Sequence, residues 1–357
     1  MTLQSLVQRL PLRRRRNGDR LVLCNSADAL AWLHTDAEGR VRGCGVAERG
    51  SDSEADFLRR LRGLALPAQG VHAVLNLQEG QLIQVEAPAV KPEEMKAAVR
   101  WKIKDQVSGP LDDLTLDVMV VGAEPKTAAE RQGRQIFVAA ARNGPIRSLA
   151  ERTRGAGLVL SVVELVETAQ RNLHSAVAAH EGLGGRASAA LVRHGAECLL
   201  TVCAGGELYH ARRLEWDGAL ANGSGSTGSG GNAKASAAAL PEMSLADVDF
   251  IDYGAEPEGT AGAGNEEAPR LVVELQRSFD LWERSWPDLP LAALWLHAGD
   301  DSASLAPRLQ QALGQRVLVL DPERALPGFN AAAPTPALRA ALLPLLGAAL
   351  RDDARRL

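Results

Sequence analysis

The sequence predicts an α/β protein of two lobes, with a small α+β module inserted in the first. Three observations carry this expectation. At 357 residues, the chain exceeds the size at which one hydrophobic core stops growing. Short apolar strands alternate with amphipathic helices along most of its length. A Gly-rich turn at 182–185 divides the chain, and a run of short strands opens on each side of it.

Composition narrows the class. Hydrophobic residues make up 46% and charged residues 24%, as in an ordinary globular protein. Aromatics are only 4%, so each of the six Trp residues is a candidate packing anchor. The net charge of -4 gives no global pull toward nucleic acid or anionic lipid. Cys24, Cys44, Cys198 and Cys203 form no CxxC pair and have no His cluster at zinc spacing, which points to buried, reduced thiols. No apolar segment follows the basic N-terminus as in a signal peptide. The longest apolar run, Leu338 to Leu350, is interrupted by Arg339 and falls short of the ~20 residues a spanning helix needs. A cytoplasmic chain is expected.

Residues 1–17 read as a basic leader. Leu3, Leu6, Val7 and Leu10 recur at helical spacing before Pro11 and Arg13 to Arg16. Two readings stand: an amphipathic helix meeting anionic headgroups through residues 1–16, or a solvated tail. The first lobe is expected over 18–183. Strands at 20–24, 29–34 and 40–46 are separated by polar turns, and Ser53 is placed to cap a helix carrying Phe57, Leu58, Leu61 and Leu64.

The module is expected over about 71–141, in the order strand, helix, strand, strand. Residues 71–77 and 81–87 alternate as strands. Pro92 opens a helix with Glu93 and Glu94 in its first turn, matching the helix dipole. Met95, Val99, Ile103 and Val107 then form an apolar stripe up to Gly109-Pro110, with Trp101 on the opposite side. Met95, Val99, Trp101 and Ile103 are the candidate partner-binding residues, Trp101 meeting either a neighbouring lobe or a partner. Strands at 114–121 and 135–141 flank a polar loop from Glu124 to Gln132. A helix from Pro145 to Arg154, a strand from Leu158 to Val163 and a helix from Glu164 to His180 complete the lobe.

The second lobe is expected over 184–357. It opens with strands at 187–193, 197–203 and 207–214. Segments 218–238 and 254–268 are Gly/Ser/Ala-rich and are expected to be disordered, since neither can bury enough apolar surface to offset its ordering entropy. A helix from about Pro269 to Trp286, a strand from Ala293 to His297, a helix to Leu313, a strand from Arg316 to Leu320 and a helix from Pro336 to Leu350 follow.

Few catalytic patterns occur. There is no GxxxxGK[ST], no GxGxxG following a strand, no HExxH and no GxSxG. Asp112-Asp113 and Asp352-Asp353 lie at element ends, where caps and solvated faces are the default. His194 and His297 end strands but have no acid beside them to position a general base. No catalytic residue and no metal ligand is assigned.

The alternation of lobes, each opening with a hairpin after a turn, resembles the actin-like ATPase superfamily, whose lobes are ribonuclease H-like. The inserted module resembles that of the pilus assembly protein PilM. The segment EEMKAAVRWKIKDQV at 93–107 is similar to the signature helix of the MshI family of MSHA-type pilus biogenesis proteins, with Ala98-Val99-Arg100-Trp101 and Lys104-Asp105 in the expected places. RSLAERTRGAGL at 147–158, VVELQRSFDLWE at 272–283 and LHAGDDSASLAPRLQQALGQRV at 296–317 are further points of likeness, so the resemblance spans about 18–350. It implies a two-lobed actin-like fold and a scaffold in the inner-membrane assembly platform of an MSHA-type (type IV) pilus. Its implied partner is the cytoplasmic segment of a PilN-like membrane protein, with no nucleic acid bound. Implied alternatives are a functional ATP-binding protein whose lobes are gated by nucleotide, and a type II secretion platform component.

The resemblance also assigns the nucleotide loops, and the chain departs from it at each. The first turn, Cys24-Asn25-Ser26-Ala27-Asp28, lacks the glycine of an Asp-x-Gly turn. In the second, Arg193 stands where an Asp is usual, ahead of His194-Gly195, and an Arg cannot hold a hydrated magnesium. In the third, Ala298-Gly299 replaces a Gly pair, followed by Asp300 and Asp301, acids that can cap the next helix. Ser26, Arg193, Gly195, Ala298 and Gly299 are thus the candidate nucleotide-loop residues, in degenerate form. Hydrolysis is not expected, and no cofactor is assigned.

Overall fold

In a computed structural model, residues 19–67, 70–107, 109–123, 134–216 and 269–351 are described. The leader, the Glu124–Gln132 loop, the two Gly/Ser-rich segments and Asp352-Asp353 lie outside these residues.

Two five-stranded sheets share one plan. In the first, β1 (Arg20–Asn25), β2 (Ala29–Thr35) and β3 (Val41–Glu48) form an antiparallel meander. β4 (Val71–Val74) and β8 (Leu160–Glu164) then extend the sheet in parallel from β1, giving the order β3-β2-β1-β4-β8. In the second, β9 (Ser188–His194), β10 (Glu197–Ala204) and β11 (Glu207–Glu215) form the meander, and β12 (Leu294–His297) and β13 (Val317–Val319) extend it in parallel, in the order β11-β10-β9-β12-β13. The central strands are apolar on both faces, as parallel pairs covered on both sides require: every residue of β1 is buried.

α1 (Glu54–Gly63) covers the outer face of the first sheet, with Phe57 and Leu61 buried against Leu21, Leu23 and Leu30. Ser53 caps it as expected, its hydroxyl accepting from the Asp56 N–H at 3.2 Å. α3 (Asn143–Gly155) packs on the same lobe. α5 (Arg270–Ser285) and α6 (Ser302–Leu313) cover the outer face of the second sheet.

The two remaining long helices change sides. α4 (Val166–His180) follows β8 of the first sheet but docks on β10 of the second. Gln170 anchors it there, donating to the carbonyls of Ala190 at 3.2 Å and Leu199 at 2.9 Å and to Thr201 Oγ1 at 3.0 Å. After β13, a short helix α7 (Phe329–Ala332) meets β3, and α8 (Pro336–Ala349) packs on β1, β2 and β4 of the first sheet. Thr335 caps α8 and Arg20 closes it, donating to the carbonyls of Ala348, Ala349 and Arg351. A cut of the chain at 183/184 is therefore corrected at these elements: α8 belongs with the first sheet, and α4 lies across the second.

The module also differs from expectation at its start. β4 is a core strand of the first sheet, paired in parallel with β1, because Val71–Val74 is buried on both faces. The module proper begins at β5 (Gly80–Glu86) and contains α2 (Met95–Lys102), β6 (Leu114–Val120) and β7 (Gln135–Arg142), with sheet order β5-β7-β6. α2 ends at Lys102 and gives way to a 3₁₀ turn over Lys104–Gln106, short of the expected Gly109-Pro110 stop. The apolar stripe nevertheless holds: Met95, Val99, Ile103 and Val107 all pack on Ile83, Val85 and Val138 of the module sheet.

Candidate functional site

The first turn, between β1 and β2, closes on itself. The Ser26 N–H donates to the Ala29 carbonyl at 2.9 Å, and the Ala29 N–H donates to Ser26 Oγ at 3.0 Å. Ser26 thus spends its N–H and its hydroxyl within the hairpin. From behind, the buried Arg152 of α3 donates to Asn25 Oδ1, to the Ser26 carbonyl at 2.7 Å and to Glu54 at 3.0 and 3.2 Å. Its guanidinium also lies 5.3 Å from the centre of the Phe57 ring. The carbonyls of this turn face a protein cation.

In the second turn, Gly195 takes a φ of 68°, a left-handed conformation that favours glycine. Arg193 folds over it, donating from Nε to the Gly195 carbonyl at 2.9 Å and lying 4.7 Å from the Trp216 ring centre. In the third turn, the Ala298 N–H donates to Ser302 Oγ at 2.8 Å, and Ser302 Oγ donates to the Gly299 carbonyl at 2.6 Å. The expected capping by Asp300 or Asp301 is corrected here: Asp301 occupies the N-cap position of α6 without a side-chain capping bond, because the Ser302 hydroxyl already closes the turn. The acids instead meet cations. Asp301 Oδ2 is 3.7 Å from Arg193 Nη1, and Asp300 Oδ1 is 3.3 Å from Arg339 Nη2 of α8.

Beneath the turns the lobes meet through a continuous apolar layer. Val22, Cys24 and Leu33 of the first sheet, Val192 and Leu199 of the second, and the facing sides of α4 and α8 share one core cluster. The helices cross in backbone contact, since a Cβ at Gly347 would lie 1.6 Å from the Ala169 carbonyl oxygen. The cavity left at this crossing, lined by Gln170, Val192, His194 and Pro344 among others, measures about 10 Å³. That is room for about one water.

The two strand-end histidines are brought together but are not poised for chemistry. His194 is a half-buried residue with Nε2 shut away from solvent. Burial, then the charges of His297 and Arg213, push its pKa down to about 4. Burial likewise lowers His297, whose Nδ1 sits 3.2 Å from the Leu320 carbonyl. All four thiols are free, and burial pushes both Cys24 and Cys203 up to about 12, which makes them poor nucleophiles. Among the described residues, no group of three or more His, Cys, Asp or Glu side chains could hold a metal ion.

On the module, the four candidate docking residues separate. Val99 and Ile103 are fully buried in the module core and are not available to a partner, while Met95 packs on that core and stays partly exposed. Val99 and Ile103 are corrected from docking to packing residues. Trp101 is 73% exposed, the most exposed of the large apolar residues described. On the same segment Ala97, Lys102 and Lys104 are exposed; Lys102 Nζ donates to the Glu86 carbonyl at 3.0 Å, Arg100 is held by Asp112 at 2.6 Å and Lys96 by Asp117 at 2.7 Å. The chain has six lysines, four of them at positions 91, 96, 102 and 104.

Sequence reasoning marks the Arg212-Arg213 pair of β11 as structural, without naming what Arg213 holds, and misses Arg152 and the glycines at 122 and 347. A glycine inside the apolar run of α8 was the one available signal, since an interior helical glycine often marks a close backbone approach.

No protein-family model and no curated protein matches the chain. Among solved structures it is similar to a chain of a PilM-PilN type IV pilus biogenesis complex, with a TM-score of 0.60 and 19% identity, over 94% of this chain and 100% of that one. Looser matches are the cytoplasmic domain of EpsL, an inner membrane component of the type II secretion system of Vibrio cholerae (TM-score 0.40, 14% identity, 58% of this chain and 76% of that one), and a Bacteroides thetaiotaomicron protein with an actin-like ATPase fold and unknown function (TM-score 0.43, 8% identity, 89% and 95%). The duplicated sheet order, the crossing helices and the first likeness together define a two-lobed actin-like α/β fold. Among the described residues, no helix is long and apolar enough to cross a membrane.

Proposed function

We propose that this chain is a PilM-like scaffold of the inner-membrane assembly platform of an MSHA-type (type IV) pilus, as the MshI-like segment at 93–107 suggests. It sits in the cytoplasm at the inner membrane. It works by docking the cytoplasmic segment of a PilN-like membrane protein, not by turning over nucleotide. The observation that carries this reading is Trp101. A large aromatic is left 73% exposed on a helix whose other face is fully packed, and such side chains dominate protein interfaces.

The three turns support the non-catalytic half of the proposal. A magnesium–nucleotide needs free N–H groups, oxygen ligands and space between the lobes. Here Ser26 and Ser302 close their own turns, and Arg193 faces Asp301 at 3.7 Å where an acid would be needed for magnesium. Ser26, Arg193, Gly195, Ala298 and Gly299 therefore serve as structural turns in this proposal.

The test is co-purification of the full chain with a PilN-like partner from membranes that carry pilus platform proteins. The proposal expects a complex that Trp101→Ala weakens at least tenfold. Equal recovery of the partner with the variant and the unaltered chain would contradict it.

A further inference from the structure

The module is tied to the second lobe as well as to the first, and by three different kinds of contact. The first is apolar. On the sheet face opposite α2, Met119, Val121 and Phe137 pack against Cys203, Leu208 and Tyr209 of the second lobe. The second is backbone. The Gly122 N–H donates to the Leu208 carbonyl at 2.8 Å. Gly122 has a φ of 70°, and a Cβ there would lie 2.5 Å from the Tyr209 ring. Only glycine allows this approach without displacing the ring.

The third is ionic. Arg213 of β11 reaches to the entry of the module, donating from Nη1 to the Leu77 carbonyl at 2.5 Å and from Nη2 to the Gly80 carbonyl at 2.6 Å. The same guanidinium holds Glu167, at the start of α4, through Nε at 3.1 Å and Nη2 at 2.6 Å. Glu167 is only 3% exposed, so its carboxylate depends on this partner, while the Arg213 side chain is 28% exposed. Beside it, Gln78 Nε2 donates to Glu197 Oε2 of β10 at 2.9 Å.

We propose that the module is a brace: it fixes the second lobe against the first, so that the lobes move as one body without any ligand between them. A molecule bound between two lobes ties them by contacting both. Here Arg213, Gly122 and the Phe137 face make those ties from within the chain. Because α2 lies on the other face of the same three-stranded sheet, whatever loads α2 also loads the second lobe. The brace does not depend on what docks at Trp101, and its failure would leave that reading intact.

Hydrogen exchange on the full chain tests it. In the unaltered protein, the amides of Val121 and Gly122 should exchange at least tenfold more slowly than the amide of Gly195, in an exposed turn. Arg213→Ala should speed exchange at Gly80, Val121 and Gly122 at least tenfold while leaving Leu21 to Leu23 unchanged. Equal rates at Gly122 and Gly195 in the unaltered chain, or exchange at these sites unmoved in Arg213→Ala, would overturn the brace. If Arg213→Ala does not fold, the comparison within the unaltered protein decides alone.

Discussion

Arg193 and Asp301 face each other across the second and third turns, Nη1 3.7 Å from Oδ2. Both side chains are partly exposed, at 33% and 57%, so the pair is a weak one. Arg193 also covers Trp216, which keeps the guanidinium over the turn. Removing it with Arg193→Ala should cost no more than about 1 kcal/mol. It should also create no nucleotide site, because the packed helix crossing beneath it remains. Thermal melts of the variant with and without ATP and magnesium should superimpose.

The crossing of α4 and α8 is the least forgiving contact in the fold. At Gly347, one added methyl would meet the Ala169 carbonyl at 1.6 Å, and backbone cannot yield as a side chain can. Gly347→Ala should therefore destabilise the protein by at least about 2 kcal/mol, despite the higher helix propensity of alanine. Denaturant unfolding would show this as a lowered midpoint. A neutral result would mean that the helices slide apart at no cost.

α2 separates packing from docking within one helix. Ile103 is fully buried, and Ile103→Ala should cost about 2 to 5 kcal/mol. Trp101 is exposed, and Trp101→Ala should change stability by less than about 0.5 kcal/mol. Unfolding midpoints measured side by side should differ in this sense, and only the tryptophan variant should fold normally yet lose its partner.

Acid should weaken the fold before the carboxylates titrate. Burial pushes His174 down to about 3, and His194 and His210 down to about 4. The same groups titrate near 6.5 in the unfolded chain. Below about pH 6.5 the unfolded chain takes up protons that the folded chain refuses, so stability present at neutral pH is lost as the pH falls toward about 4. Each histidine contributes a slope of about 1.4 kcal/mol per pH unit in that window. Glu164, raised by burial, works in the opposite sense as it protonates, being favoured in its neutral form when folded. Denaturant midpoints between pH 7 and 5 should fall, and His174→Gln should flatten that fall relative to the unaltered chain.

Much of the fold was legible because local chemistry agreed with it. The apolar runs at Arg20–Asn25 and Ser188–His194, the Ser53 cap, and the stripe at Met95, Val99, Ile103 and Val107 all report one residue's neighbours in the chain. Pairing was not legible in the same way. Val71–Val74 reads as a strand in sequence, but that it joins β1 and not β5 is decided by a parallel contact across about fifty residues. The destinations of α4 and α8 were hidden for the same reason, since an apolar helix face does not name the sheet it covers. At the site, Arg193 and Trp101 stood out by type and place. Arg152 did not, and the Arg212-Arg213 pair read as structural with no partner named, in a chain where arginine is common and only the fold brings the partners together.

Whether a nucleotide binds between the lobes decides between a scaffold and a nucleotide-gated protein. The direct measurement is a calorimetric titration of the purified full chain with ATP and magnesium at millimolar concentration, paired with a thermal melt. No heat of binding and a shift below about 1 °C are the predicted results, since only a ligand that binds the folded state raises the melting point. Saturable binding with a shift of several degrees, abolished by a bulky residue in place of Gly195 or Gly299, would contradict it.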